Sequence, residues 1–169
     1  MIESDFNPFA VIEVLARHRV EFVLIGGLAA NARGSDVNTN DLDICYRRSP
    51  ANYEALASAL REIGATLRGA PAGLPFLLDA KTIRNGDSFT FDTQFGKFDC
   101  LGTPSGTSGY DDLIRNATTL TLGEGNDVPV CSIDDLIRMK RAAARPKDLY
   151  AVEHLTALKK LIESGAGNS

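Results

Sequence analysis

The stretch Ile25–Cys45, IGGLAANARGSDVNTNDLDIC, decides how this chain is read. Just before it, Glu21 to Ile25 is short, apolar and rich in β-formers, which predicts a buried strand that stops at Gly26-Gly27. Leu28 to Arg33 is a run of helix formers closed by Gly34. Ser35 to Asn40 is polar and turn-like. Asp41 to Tyr46 then alternates Asp, Leu, Asp, Ile, Cys, Tyr, the period of a strand with one face buried.

On such a strand Asp41 and Asp43 point to the same face, roughly 7 Å apart at a rise of about 3.3 Å per residue. Two carboxylates so placed repel one another, and burying them without a cation is costly. Either that strand end faces water or a divalent cation sits between them. Hard oxygen ligands suit Mg²⁺ or Mn²⁺. Upstream, a strand running into two glycines and then a helix is a plain turn or a phosphate-binding device, because glycine admits close approach of a ligand to the backbone.

Farther along, Phe98-Asp99-Cys100-Leu101 sets a third carboxylate in an apolar strand, which calls for a partner. Asp41, Asp43 and Asp99 on neighbouring strands would make a two-metal site. Asp92, beside Thr93 at a strand end, is a rival for the third place and reads as a turn residue.

Around this segment the chain reads as α/β: a central mixed β-sheet flanked by helices, with C-terminal helices. Asn7-Pro8 starts a helix to about His18, with Phe9, Ile12, Leu15 and Ala16 on its buried face. Ser49-Pro50 opens a helix over Ala51 to Ile63, its stripe Tyr53, Leu56, Leu60 and Ile63. Residues 65–101 read as several short strands, Ser88 to Asp92 and Lys97 to Leu101 the clearest. Gly102 to Gly109, GTPSGTSG, is a loop without the Lys of a P-loop, placed to wall the site. Tyr110 to Arg115 is a short helix; Thr118 to Leu122 and Val128 to Cys131 look like edge strands. Ser132 caps a helix to about Ala143, and Pro146 restarts one through Ile162. The expected organisation is a core over 1–131, a helical extension over 132–164 packed on it, and a disordered tail over 165–169.

Bulk numbers bound the function. With 169 residues and 44% hydrophobic, the chain can form one domain with a sizeable core. A net charge of −4 argues against a surface wholly devoted to nucleic acid. No apolar run approaches the ~20 residues of a membrane span, and the acidic start is unlike a signal peptide, so a cytoplasmic setting is expected. Cys45, Cys100 and Cys131, odd in number and widely spaced, read as core thiols.

The order of apolar strand, Gly-Gly, spacer, Asp-x-Asp and a later Asp in KFDCL resembles the polymerase β-like nucleotidyltransferase superfamily over about residues 21–101. Within it the chain looks most like small bacterial AbiEii-like and DUF6036-like nucleotidyltransferases, often met in toxin–antitoxin and phage-defence systems. IDDLIRMKRAAARPKDLYAVEHL would supply that group's helix Lys and Arg-x-Lys-Asp signature as Lys140, Arg145, Lys147 and Asp148. The resemblance implies that Gly26 and Gly27 receive nucleotide phosphates and that Asp41 and Asp43 bind Mg²⁺ or Mn²⁺. Asp99 would complete the metal site and draw a proton from the acceptor hydroxyl. Lys140 and Arg145 would face the triphosphate or the acceptor. The implied reaction moves a nucleoside monophosphate from a nucleoside triphosphate to an RNA, protein or small-molecule hydroxyl, with a cognate toxin or antitoxin as possible partner. Relatives carry an Arg four residues before the first metal Asp; Val37 stands there, so the chain lacks that group or uses Arg33 instead.

Two other classes stay open: an aminoglycoside-type small-molecule nucleotidyltransferase, and a non-catalytic antitoxin or binding module that keeps the fold. The basic run Arg138, Lys140, Arg141, Arg145, Lys147 reads either as a phosphate surface or as a solvated helix face. Lys147-Asp148 reads as an ion pair capping the last helix, Ser35 as a turn hydrogen bonder, and His18 and His154 as surface groups.

Overall fold

The structure, a computed structural model, describes residues 5–71 and 78–166. Strands β1 (Phe22–Ile25), β2 (Asp41–Tyr46), β3 (Thr66–Leu67), β4 (Ser88–Thr93), β5 (Gly96–Leu101), β6 (Thr118–Leu122) and β7 (Asn126–Val130) form one sheet in the order β3-β4-β5-β2-β1-β7-β6. The sheet is mixed. β2 runs parallel to β5 and β1 parallel to β7; the other neighbours are antiparallel. Helices α1 (Pro8–Arg17), α2 (Gly26–Ala32), α3 (Pro50–Glu62), α4 (Ala80–Asn85) and α5 (Tyr110–Ile114) flank it. Helices α6 (Ile133–Ala143) and α7 (Pro146–Ala166) form a hairpin that reaches the sheet side through α2.

The centre of the sheet is the centre of the core. All four residues of β1 are buried, and Leu42, Ile44, Cys45 and Tyr46 of β2 are wholly or almost wholly covered. Burying each large apolar side chain of this kind contributes about 1.5–3 kcal/mol. The expected stripe of α3, Tyr53, Leu56, Leu60 and Ile63, is buried as a set. Asn52, on the same helix and 3% exposed, closes the far end of the β1–β2 pair. Its amide accepts from Glu21 N at 2.7 Å and donates to Glu21 O and Arg47 O at 2.9 and 2.8 Å. Backbone groups at a strand end are thereby satisfied without water.

Several expectations need correction. α1 buries Val11, Ile12, Val14 and Leu15, while Phe9 is 41% exposed and Ala16 is also exposed. α2 starts at Gly26, two residues before the expected start, because the left-handed φ of +73° at Gly26 turns the chain out of β1 at once. The stretch read as short strands contains α4, capped by Asp79, whose side chain accepts from Thr82 N at 2.8 Å. Residues 72–77 of that stretch lie outside the described residues. β6 is an edge strand, but β7 is interior, between β1 and β6. α7 runs on past Ile162 to Ala166, and residues 167–169 of the expected tail lie outside the described residues. The three cysteines are buried and free, as expected. No described helix is long and apolar enough to cross a membrane.

Candidate active site

Register brings the carboxylates together. β1 ends at Ile25, which pairs with Asp43 of β2, and Asp43 pairs in turn with Asp99 of the parallel strand β5. Asp41 and Asp43 are half-buried while Leu42 and Ile44 between and beyond them are fully covered, so both carboxylates leave the sheet on the side away from the core. Asp43 is hydrogen-bonded to Asp99, and its pKa is pushed up to about 7. Burial is the largest cause; Asp99 and then Asp41 add like-charge repulsion, and Lys140 opposes them. Asp41 Oδ1 is buried and has no hydrogen-bond partner.

Gly26 is fitted to this pair. A Cβ at Gly26 would overlap Asp43 Oδ2, and its backbone lies in the left-handed region. At Gly27 a Cβ would lie 2.7 Å from Thr39 Oγ1. The glycine pair therefore lets the start of α2 pass directly over the carboxylate strand and its approach.

A cleft of about 230 Å³ opens over these groups. Gly26, Asp43 and Asp99 form one side, Pro104 and Ser105 of the Gly-rich loop another, and Leu136, Met139 and Lys140 of α6, Asp148 of α7 and Arg145 of the connection between them the third. The expected wall of the site is thus in place. The loop is fastened by Asp112, whose Oδ2 accepts from Ser108 N and from Arg138 Nη1, both at 3.0 Å.

The basic run divides by partner. Arg138 forks onto Asp112 at 3.0 and 3.1 Å and touches Asp135 at 3.0 Å. Arg33 donates to Cys131 O and Val130 O at 3.2 and 2.8 Å, tying α2 to the end of β7, so it does not stand in for the Arg absent at Val37. Lys140 and Arg145 do reach the cleft, and both hold Asp148, whose side chain is completely enclosed. Arg145 Nε donates to Asp148 Oδ2 at 2.6 Å, and Lys140 Nζ lies 3.4 Å from Oδ1. The Arg145 partnership holds the Asp148 carboxyl below the usual carboxylate range. The expected Lys147–Asp148 pair is replaced by these two. Asp148 also accepts from Arg145 N at 3.2 Å, the reach-back of a helix's third residue to its cap.

Arg68, just after β3, escaped the sequence reading. It donates to Asp99 Oδ1 at 2.9 Å and to Phe91 O at 2.7 Å, and its Nε lies 3.3 Å from Asp92 Oδ1. Asp92 is thus an exposed partner of Arg68 within β4 and lines no part of the cleft. His154 and Ser35 were also read as separate groups, yet His154 Nε2 lies 3.0 Å from Ser35 Oγ. Ser35 does accept from Val37 N at 3.3 Å, the turn bond expected of it. His18 sits at the surface beside Glu62, 2.9 Å away.

The donor set fits a divalent cation. An orphaned oxygen on Asp41, a protonation-prone Asp43 and a carboxylate opposite it are oxygen ligands whose mutual repulsion a cation relieves. Among the described residues no group of three or more His, Cys, Asp or Glu side chains is already placed to hold a metal ion.

No family model and no curated protein matches the chain. Solved structures do. Over 91% of this chain and 99% of the other, it superimposes with a TM-score of 0.60 and 13% identity on the lincomycin-bound crystal structure of the lincosamide antibiotic adenylyltransferase LnuA. The solution structure of the antibiotic-resistance factor ANT(2'')-Ia matches with a TM-score of 0.57 and 12% identity, covering 95% of this chain and 91% of that one. The same protein in complex with adenylyl-2''-tobramycin gives 0.53 and 13%, covering 94% and 96%. By its mixed sheet, its flanking helices and this superposition over nearly all its length, the chain has the nucleotidyltransferase fold.

Proposed function

We propose that the chain is a divalent-metal-dependent nucleotidyltransferase that moves a nucleoside monophosphate from a nucleoside triphosphate to an acceptor hydroxyl, releasing pyrophosphate. The observation that carries this is the register Ile25–Asp43–Asp99, which sets two carboxylates side by side beneath Gly26, with the orphaned Asp41 oxygen one step along β2. Asp41 and Asp43 would hold Mg²⁺ or Mn²⁺, with Asp99 completing the set. Such ions neutralise phosphate charge and acidify a bound hydroxyl. The chain's own groups do the rest. Gly26 and Gly27 let the start of α2 lie against the Asp43 and Thr39 side chains, so that its backbone stands beside the carboxylates where the phosphates would bind. Lys140 faces the cleft from α6 and Arg145 from the connection before α7, their side chains fixed by Asp148. Asp99, kept in one orientation by Arg68, receives the proton of the attacking hydroxyl.

Among the expected acceptors, a small molecule is favoured. The cleft is narrow and walled on three sides, and the matched antibiotic adenylyltransferases, by their names and bound compounds, act on small molecules. The test is transfer of label from [α-³²P]ATP, with Mg²⁺, to aminoglycosides, lincosamides, bulk tRNA and a cell lysate in parallel. Mg²⁺-dependent labelling that disappears in Asp43→Asn is the expected result. Absence of labelling of any acceptor, with nucleotide binding unchanged in Asp41→Ala and Asp43→Ala, would leave the binding-module reading in its place.

A further inference from the structure

β6 ends the sheet, with no strand beyond it among the described residues. Sheet edges are normally blunted by brevity, charge, proline or a bulge, because their free N–H and C=O groups pair with any strand that reaches them. The opposite edge follows that rule: β3 is two residues long. β6 does not. Its sequence, TTLTL, has no charge and no proline, and its five pairs with β7 run in unbroken register. Thr118, Thr119 and Thr121 are exposed.

The register says which backbone groups are free. Cys131 N donates to Leu24 O at 3.0 Å, towards β1. By the alternation of a strand, Val130 and Val128 therefore turn their backbone groups to β6, and Pro129, which has no N–H to give, does not. Thr118 and Leu120 bond those two valines. Thr119 and Thr121, opposite Pro129 and Asp127, point their N–H and C=O outward from the edge.

We propose that this edge is the interface through which two copies of the chain associate, β6 pairing antiparallel with β6 of the second copy about a two-fold axis at Leu120. In that register Thr119 of each copy faces Thr121 of the other, and every outward donor meets an outward acceptor. Leu120 meets its counterpart as a non-hydrogen-bonded pair, where side chains approach most closely. Carried into the flanking turns, the same register sets Glu124 of one copy opposite Asn116 and beside Arg115 of the other. Glu124 is exposed and the Arg115 side chain is 72% exposed, so opposite charges meet at both ends of the pair. Exposed Phe9 lies against Gly123, which puts an apolar ring where Ala117 of the other copy arrives. A strand of another protein would satisfy the backbone equally; the self-matching of charge about Leu120 favours a second copy. The axis stands perpendicular to the sheet, so the carboxylates of both copies leave it on one face. No residue from Arg115 to Glu124 lines the carboxylate cleft, and the association is independent of the transferase reading.

Sedimentation velocity of the full chain from micromolar to submillimolar concentration tests this. A concentration-dependent rise towards twice the monomer mass is expected, since an interface of one strand edge is small and its complex weak. Thr119→Pro removes an outward donor at an exposed position and should stay monomeric while still unfolding cooperatively. Glu124→Arg, in the exposed turn, should weaken association about three- to tenfold at low salt, and less in about 1 M NaCl. Register is read with cysteine, because Cys45, Cys100 and Cys131 are buried. Leu120→Cys should give an oxidised dimer on a non-reducing gel, as Cα atoms about 4.5 Å apart in such a pair suit a disulfide, and Thr121→Cys should not. A monomer at every concentration would overturn the proposal. So would a dimer that both Thr119→Pro and Glu124→Arg leave unaltered, or cross-linking at position 121 and not at 120.

Discussion

Asp43 and Asp99 are direct cross-strand partners on the parallel strands β2 and β5, joined by a hydrogen bond between their side chains. Parallel pairing of two carboxylates is an expensive way to build a sheet. Cross-strand like charges destabilise it unless one member is protonated or a cation intervenes. The sheet centre keeps this cost where Leu or Val would pack, as sites selected for chemistry do.

The first prediction follows from the sign of that cost. Asp43 has a pKa of about 7 when folded, above its unfolded value near 4. Between those values the folded state binds the extra proton, so stability from this group falls as pH rises through the window and is level above it. Without divalent cation, Asp43→Asn should therefore unfold later than the unaltered chain at about pH 8, by about 1–3 kcal/mol, with the gap closing near pH 4. Adding Mg²⁺ should raise the melting temperature of the unaltered chain and leave the variant unmoved. Urea titrations at the two pH values give the answer; a gap that grows towards low pH refutes it.

Gly26→Ala should abolish transfer and destabilise the fold together. The left-handed backbone alone costs about 1–2 kcal/mol for an L side chain, and the added methyl meets Asp43 Oδ2. Gly27→Ala, whose methyl meets the Thr39 side chain, should cost less stability. Thermal melts of both variants beside activity assays would show the order, and equal stabilities would contradict it.

Asp148→Asn should lower melting temperature and nucleotide affinity in the same variant. Asn keeps the size but loses the charge that Arg145 and Lys140 share, at a cost of about 1–3 kcal/mol. Both cations are part exposed and can turn to water, which caps the stability loss and moves them from the cleft. A variant with native affinity for ATP would show that their placement does not depend on Asp148.

Acid should act through Asp112. Its Arg138 partner, first, and the Ser108 amide hold the pKa at about 2. A carboxyl held low contributes stability that is present above the unfolded value near 4 and lost as pH falls towards 2. Asp112→Asn should thus be less stable than the unaltered chain at neutral pH and approach it near pH 2. Faster proteolysis within residues 102–109 should accompany it at pH 7, since the loop loses its anchor.

Much of this site is legible locally. The period-two alternation of Asp41 to Tyr46 fixes the shared face of Asp41 and Asp43, and an Asp among Phe98, Cys100 and Leu101 stands out by its surroundings. α4 was hidden because six residues make too short a pattern, although Asp79 and Gly86 mark its two ends. The interior position of β7 was hidden by Pro129, a residue of edge strands. Its only registered pair with β1 is Leu24↔Val130, so the proline costs no bond there. Arg68 on Asp99, and Lys140 on Asp148, are meetings of side chains from separate elements. No spacing in the sequence records them, because packing, not periodicity, brings them into contact.

The parallel pairing of β2 and β5 has an evolutionary consequence. The chain between them, carrying α3, β3, α4 and β4, loops out and returns, so the Asp43–Asp99 spacing is set by strand register and is insensitive to the length of that excursion. A single residue added between Gly96 and Asp99, by contrast, would turn Asp99 to the opposite face. The excursion is thus free to diversify while the reaction centre is held to a one-residue tolerance.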